Sequence, residues 1–188
     1  MAADEIRDIT GRMRQNSLEE RHTRIQDGSR RRVRVLPADK LRKTAEETKR
    51  NVTDAAAFLV QVPRPMSWLK MQDLLYLAQA WHLVWDGELL FPDPIVATED
   101  GISIPRLHDL LAGKFEVTRF DLRMGRDSRL SESARRTLSG MVKFYGDRSH
   151  YRLSEMFLTE EPWLRAREAA PDFIIDPAIL HRHYRSKQ

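Results

Sequence analysis

The chain has 188 residues, of which 41% are apolar and 32% are charged, a size and composition that suit one folded domain with an appendage. It has no cysteine, which excludes disulfide bonds, thiolate metal ligands and cysteine catalysis and is typical of a reducing compartment. No apolar run approaches the roughly 20 residues of a membrane-spanning helix. The first few residues include Asp4 and Glu5, where a secretion signal would have basic residues. We therefore expect a soluble protein of the cytoplasm with no membrane contact.

The positive charge is concentrated at the start of the chain. Residues 1–50 hold 14 Lys or Arg against 9 Asp or Glu, a net charge of +5, whereas residues 51–188 hold 18 against 19. The first segment has no aromatic residue and few large apolar residues, so burial of apolar surface cannot offset the entropy lost in ordering it. We therefore divide the chain into a basic N-terminal arm (residues 1–50), partly disordered or helical, and a helical domain (residues 51–188).

The arm contains an arginine cluster that suggests one possible function. Its guanidinium groups are suited to the phosphates of a nucleic acid. The arm has no helix-turn-helix pattern and no aromatic side chains on which bases could stack. A solvated tail or a contact with another protein is therefore favoured, and a nucleic-acid-binding regulator is the alternative. The cluster consists of Arg30, Arg31, Arg32 and Arg34.

Two helices are predicted at the start of the domain. The first begins near Val52 and is stopped by Pro63 and Pro65, because proline disfavours a helical conformation in the residue before it. The second occupies about residues 66–86, and its apolar residues cover nearly the whole circumference, as in a helix packed on several sides. Gly87 follows, where a left-handed C-terminal residue is expected.

A hairpin and a loop are predicted next. Two short strands at residues 95–97 and 102–104 fit a hairpin that turns near Gly101. Pro105 suits the first turn of a short helix, because its fixed φ is already helical. Residues 114–129 are basic and lack a clear period, which is typical of a loop.

Four further helices are predicted in the last third of the chain. Ser131 is a suitable N-cap for a helix that ends before Gly146, and Asp176 is a suitable N-cap for the last helix. Two shorter helices are predicted between them, one that contains Leu153 and one that starts after Thr159. We predict a mainly α fold, a compact multi-helix domain around a central apolar helix with a small β hairpin.

The sequence contains no convincing catalytic or metal-binding pattern. His181 and His183 are two residues apart, so on a helix they point in different directions, and both are interpreted as surface histidines. Glu160 and Glu161 are interpreted as charges at the positive end of a helix. His82, inside the central helix, is interpreted as a core histidine. We expect no enzymatic activity, no cofactor and no metal.

Three polar side chains interrupt the apolar surface of the central helix: Lys70, Gln72 and Gln79. Polar groups in such a position must find partners or face a surface. We predict an internal network that holds the hairpin, with Asp73 and Tyr76 as nearby candidates. An exposed recognition strip is the alternative.

The same helix and two later segments also match the residue order of a known family. The central-helix matches are Lys70, Gln72, Leu74, Leu75, Tyr76, Ala78, Gln79, Trp81, His82 and Leu83. The next segment matches at Gly87, Leu90, Phe91, Ile95, Ala97, Gly101, Pro105 and Leu107, and a later one at Leu153, Ser154, Pro162 and Trp163. Over about residues 52–185 the chain resembles the Panacea domain, the family of SocA-like antitoxins and phage-associated proteins.

The chain departs from the family at several polar and aromatic positions, so it is expected to be a divergent member. The middle segment has Val96, Thr98, Asp100 and Ile102 where the family has Glu, Trp, Tyr and Pro. Phe157 and Leu158 stand in place of a Thr-His pair. Since the apolar skeleton persists, the resemblance implies the fold more strongly than any surface site.

The resemblance implies a non-enzymatic module that neutralises a cognate toxin protein by direct binding, and in one branch of the family the antitoxin delivers the toxin to a protease. Binding of this kind needs an exposed patch with aromatic or arginine side chains. The candidate partner-binding residues outside the central helix are Arg119, Arg123, Tyr151 and Trp163. The oligomeric state and the identity of the toxin stay open at this point.

Overall fold

A computed structural model of the chain describes residues 51–62 and 65–188. Within these residues the fold is mainly α-helical with one small β hairpin, as predicted. The arginine cluster of the arm, Arg30 to Arg34, lies outside the described residues. The helices are α1 (Val52–Leu59), α2 (Trp68–Asp86), α3 (Pro105–Leu111), α4 (Glu132–Tyr145), α5 (His150–Phe157), α6 (Glu161–Glu168) and α7 (Pro177–Arg185).

Helix α2 is the centre of the fold, and every residue from Met71 to Val84 is buried. The helix begins after Ser67, whose hydroxyl accepts a hydrogen bond from the backbone N–H of Lys70. It ends at Gly87, which has a left-handed φ of 71°, as predicted. A helix buried on all sides needs neighbours on all sides, and α1, α3, α4, α5 and α7 pack against α2.

Aromatic side chains fill the contacts of α2 with α5 and α7. Trp81 is 2% exposed, stacks on Trp85 with the ring centroids 5.3 Å apart, and meets Tyr184 of α7 edge-on at 5.5 Å. The ring of Tyr76 lies 4.8 Å from that of Phe157 on α5. Aromatic pairs at these distances add to the free energy gained by burying the rings, so the three helices share one core.

The predicted internal network is confirmed for the two glutamines of α2, which bind the backbone before and after the hairpin strands. Oε1 of Gln72 accepts a hydrogen bond from the N–H of Ile104 at 2.7 Å. Oε1 of Gln79 accepts one from the N–H of Leu90 at 2.8 Å, and its Nε2 donates to the carbonyl of Phe91 at 3.1 Å. Buried backbone groups need such partners, so the glutamines fix where the hairpin segment leaves and returns to α2.

The hairpin consists of β1 (Val96–Ala97) and β2 (Ile102–Ser103) in antiparallel register. At its turn, the carbonyl of Gly101 accepts a hydrogen bond from the indole N–H of Trp163 at 2.7 Å. Helix α6 therefore holds the hairpin from one side while α2 holds it from the other.

Side-chain caps begin α4 and α7 at the residues predicted. The hydroxyl of Ser131 and the carboxylate of Asp176 accept hydrogen bonds from first-turn N–H groups at 3.1 and 2.7 Å. Helix α4 ends before Gly146, whose carbonyl accepts a hydrogen bond from Nζ of Lys70 at 2.6 Å. Lys70 therefore connects the start of α2 to the end of α4.

Candidate functional site

A partly buried ion pair joins α2 to α5. Asp73 on α2 is almost fully buried, and its Oδ2 lies 2.5 Å from Nδ1 of His150, the first residue of α5. Burial raises the pKa of Asp73 to about 6, against the opposing effect of His150. The hydrogen bond to Asp73 raises the pKa of His150 above its ordinary 6.5. This pair positions α5 on the central helix.

A second buried cluster surrounds Glu160, which lies at the N-cap of α6, with Glu161 in the first turn, as predicted. Glu160 precedes α6 but makes no side-chain capping hydrogen bond to it. Its carboxylate binds the ammonium of Lys187 and lies 3.7 Å from Nε2 of His183. Burial opposes ionisation, but these neighbours outweigh it and hold the pKa of Glu160 below its ordinary value. Burial also raises the pKa values of the neighbouring Tyr76 and Tyr184 well above the ordinary tyrosine value.

Two of the described histidines, His82 and His181, lie in the core. His82 is fully buried, and its Nδ1 lies 3.1 Å from both Oγ1 of Thr137 and Oδ2 of Asp86, which confirms it as a core histidine. His181 is 7% exposed, so the prediction that it lies on the surface is wrong, and burial lowers its pKa. In the part of the chain that the structure describes, no group of three or more His, Asp or Glu side chains is placed to hold a metal ion.

The buried polar groups therefore connect helices to one another. Residues 112–129, between α3 and α4, are irregular apart from one 3₁₀ turn and are attached to α1; we call them the anchored loop. The attachment begins at Asp54, whose fully buried carboxylate accepts from the N–H of Asn51 at the start of α1. The same carboxylate accepts from the N–H of Arg126 in the loop at 2.7 Å, with the guanidinium of Arg129 at 3.7 Å.

Two further hydrogen bonds fix the anchored loop to the end of α1. Nη1 of Arg119 donates to the carbonyl of Ala57 at 3.1 Å. Nε2 of Gln61 donates to Oδ2 of Asp127 at 2.9 Å, and this bond contributes most to holding the pKa of Asp127 below its ordinary value. Both contacts join residues more than 60 positions apart in the chain, so they fix the loop relative to the helices.

The first half of the anchored loop is closed by its own side chains. The carboxylate of Asp121 accepts from Nζ of Lys114 at 2.6 Å and from the N–H and hydroxyl of Thr118 at 2.9 and 2.7 Å. These bonds, that from Lys114 first, lower the pKa of Asp121 to about 2. The N–H of Val117 donates to the carbonyl of Met66, which connects this half of the loop to the start of α2. The backbone of the loop is therefore held at both halves.

The anchored loop buries some of its apolar side chains and exposes others. Val117 and Leu122 are 6% and 0% exposed. Phe115, Phe120 and Met124 are 95%, 74% and 77% exposed. Among the described residues, the four most exposed large hydrophobic side chains are these three and Tyr151. Large apolar side chains gathered on one exposed segment are typical of a binding surface.

The candidate partner-binding residues lie on three different elements. Arg119 and Arg123 are in the anchored loop, and the guanidinium of Arg123 lies 5.0 Å from the ring centroid of Phe120, within the range of a cation–π interaction. Tyr151 lies on α5 and is 79% exposed. Trp163 on α6 is partly buried against the core and uses its indole N–H for the hairpin, so only part of its ring is open to a partner.

Phe115, Phe120 and Met124 were missed by the sequence reasoning, which selected only the arginines of this segment. A usable signal was present, because these three large apolar residues occur within 10 positions of a segment that shows neither helical nor strand periodicity. What the sequence does not indicate is which apolar residues of such a segment turn inward.

The comparisons with known proteins leave the family resemblance as a hypothesis from the residues alone. No protein-family model, no curated protein and no solved structure matches this chain. Among the described residues, no helix has both the length and the apolar character needed to cross a membrane.

Proposed function

We propose that this chain is an antitoxin-type protein-binding module that neutralises a cognate toxin by direct binding through the anchored loop. In this proposal it acts in the cytoplasm as a non-enzymatic protein without a cofactor. The observation that carries the proposal is the exposure of Phe115, Phe120 and Met124 on a loop whose backbone is fixed to α1 and α2.

The composition of the anchored loop suits a protein interface. Removing apolar surface from water is favourable by about 25 cal/mol per Å², so a partner that covers these side chains is stabilised in the complex. Phenylalanine, methionine and arginine are enriched at the centres of protein interfaces, and few side chains carry most of the binding energy. Phe120 with Arg123 beside it has this character.

The attachment of the loop to the helices also supports binding. A flexible loop loses conformational entropy when a partner orders it, and this loss weakens the complex. Here the backbone N–H groups of Arg126 and Thr118 are already bound by Asp54 and Asp121, and the side chain of Arg119 is bound to the carbonyl of Ala57. A partner therefore has to order only the exposed side chains.

The resemblance to the Panacea family supports a toxin as the partner. The signature residues Gln72, Gln79, Trp81 and His82 hold the core of this chain, so recognition of a particular toxin has to come from surface residues. Delivery of the bound toxin to a protease, as in one branch of the family, is included in the proposal as a step that follows binding.

The test is a growth assay in a bacterial host that expresses a candidate toxin, the product of the gene next to the one that encodes this chain, alone or with this chain. We call this candidate the neighbouring gene product. We expect the neighbouring product to stop growth and the wild-type chain to restore it. The variant with Phe115→Ser and Phe120→Ser should not restore growth, whereas Leu164→Ser, which changes a 45% exposed leucine on α6, should. Full rescue by the double variant would contradict a role for the anchored loop.

The basic arm supports the competing function, a nucleic-acid-binding regulator. Its charge alone favours contact with phosphates, and such contact weakens steeply as salt rises because each neutralised phosphate releases counterions. A shift assay with DNA and RNA at two salt concentrations decides between the functions. Tight, salt-dependent binding that is lost when Arg30, Arg31, Arg32 and Arg34 are changed to Ala would favour the regulator.

A further inference from the structure

We infer that the surface that docks on the anchored loop is a protein surface with an apolar centre and acidic residues around it. This inference rests on the proposed function, since it names the chemistry of the partner that the same loop would bind. It follows from how the loop uses its own charged residues.

The acidic side chains of the anchored loop are mostly neutralised within the fold. The segment 114–129 has five Lys or Arg and three Asp or Glu. Asp121 is bound to Lys114 and Thr118, and Asp127 is bound by Gln61 and lies 3.6 Å from a guanidinium nitrogen of Arg119. These two carboxylates hold the loop together, so they are poorly placed to meet a cationic partner. The third, Glu116, is exposed, so it offsets one of the positive charges that the loop presents.

Two of the loop's arginines keep their charge available to a partner. The side chains of Arg123 and Arg126 are exposed, and no carboxylate of the described residues lies within 4 Å of either guanidinium. Arg123 already lies over the ring of Phe120, and the exposed Met124 follows it in the chain. The loop therefore presents positive charge next to its exposed apolar side chains. Opposite charges around an apolar contact give the matching partner both a faster association and a defined orientation.

The same charge argues against three other occupants. The N-terminal arm of this chain is itself basic, with a net charge of +5, and is repelled by the exposed arginines. A second copy that docks loop to loop would place arginines against arginines. Single-stranded nucleic acid binds through stacking of successive bases on open aromatic faces. Here Arg123 covers the ring of Phe120 and Met124 has no ring, so among the exposed apolar side chains of the loop Phe115 alone offers an open aromatic face.

The test is a selection of random peptides displayed on phage, with the purified full-length chain as the immobilised target. We expect enriched peptides to carry at least two Asp or Glu residues beside an aromatic or aliphatic residue. A synthetic peptide from this set should lose affinity at least about tenfold when Arg123 and Arg126 are both changed to Glu, and a similar loss is expected between about 50 and 500 mM salt. The melting temperature should stay unchanged, because both side chains are exposed.

A charge exchange makes the test specific. Replacing the acidic residues of the selected peptide by Lys should restore binding to the Arg123→Glu, Arg126→Glu variant and abolish binding to the wild type. Changing Arg165 and Arg182 to Glu, exposed arginines on α6 and α7, should leave the affinity of the acidic peptide unchanged.

The following outcomes would overturn the inference: enrichment of neutral or basic peptides, equal affinity for the wild type and the charge-reversed variant, loop-dependent binding of oligothymidine, or loop-dependent dimerisation in light scattering. The outcome for the proposed function is separate, because it is measured by growth. Rescue of growth that needs Phe115 and Phe120 but is unaffected by reversing Arg123 and Arg126 would keep the proposed function and refute the acidic partner. Binding of acidic peptides without any rescue of growth would keep the acidic partner and refute the proposed function.

Discussion

Gly125 packs against Thr53 so closely that a Cβ atom on it would collide with the Thr53 carbonyl oxygen and lie 2.8 Å from Cβ of Ala57. The anchored loop and helix α1 therefore meet backbone to backbone at this position. The hydrogen bond from Arg126 to Asp54 follows directly in the chain, so the close approach and the buried carboxylate act together to seat the loop.

Changing Gly125 to Ala should push the loop away from α1. We expect a loss of about 1–3 kcal/mol in the free energy of unfolding, as for other overpacked positions, measured by urea denaturation. Gly101→Ala is the matched control, because a Cβ at that position meets nothing within 4 Å, and it should change stability much less. Equal effects of the two substitutions would show that the loop does not depend on this close approach.

Changing Trp81 to Ala should destabilise the domain by about 3–5 kcal/mol, because the indole is buried between Trp85 and Tyr184 and its removal leaves a cavity. Tyr151→Ala, at a 79% exposed position, is the control and should change stability by less than about 0.5 kcal/mol. A melting temperature for the Trp81 variant within about a degree of the wild type would refute the packing around α2.

The pair of Asp73 and His150 should make the effect of a substitution depend on pH. Because the folded pKa of His150 is raised, its contribution to stability is fully present below pH 6.5 and is lost as pH rises through the raised value. The folded pKa of Asp73 is raised from 3.8 to about 6, so Asp73 also lowers the free energy of unfolding as pH rises. Its contribution to stability is fully present below pH 3.8 and is lost as pH rises through about 6.

His150→Gln should therefore destabilise the protein more near pH 6.5 than at an alkaline pH above the raised pKa of His150, where the imidazole is neutral in the folded and unfolded states. Urea denaturation of the wild type and the variant at the two pH values measures the difference. A loss that is equal or larger at the higher pH would mean that the pair does not stabilise the charged imidazole.

Residues 51–188 should fold cooperatively without the arm, because the arm has no aromatic residue and little apolar surface to contribute to a core. Thermal unfolding of the truncated chain, followed by circular dichroism, tests this. Loss of a cooperative transition would show that residues 1–50 belong to the folded domain.

The helices and caps were predictable because their signals are local. The apolar period of α2, the glycine at 87 and the N-cap residues Ser131 and Asp176 depend on neighbours a few positions away. The two glutamines were also predictable in kind, since a polar group on a buried helix needs a partner.

The clusters and the binding surface were less predictable because they depend on distant segments. The position of Glu160 at the start of α6 was predictable, but its contacts with Lys187 and His183 were not, because α7 brings them from more than 20 positions away. Phe120 and Leu122 are both apolar loop residues, and only the docking of the loop on α1 decides that Leu122 is buried and Phe120 exposed.

The most direct test of the account is the affinity of the neighbouring gene product for variants of the anchored loop, measured by calorimetry. Phe115→Ala, Phe120→Ala and Met124→Ala together should weaken binding by at least about a hundredfold without lowering the melting temperature, since these side chains are exposed and supply the interface. Leu164→Ala should bind as the wild type does. Wild-type affinity in the triple variant would contradict the assignment of the anchored loop as the partner-binding surface.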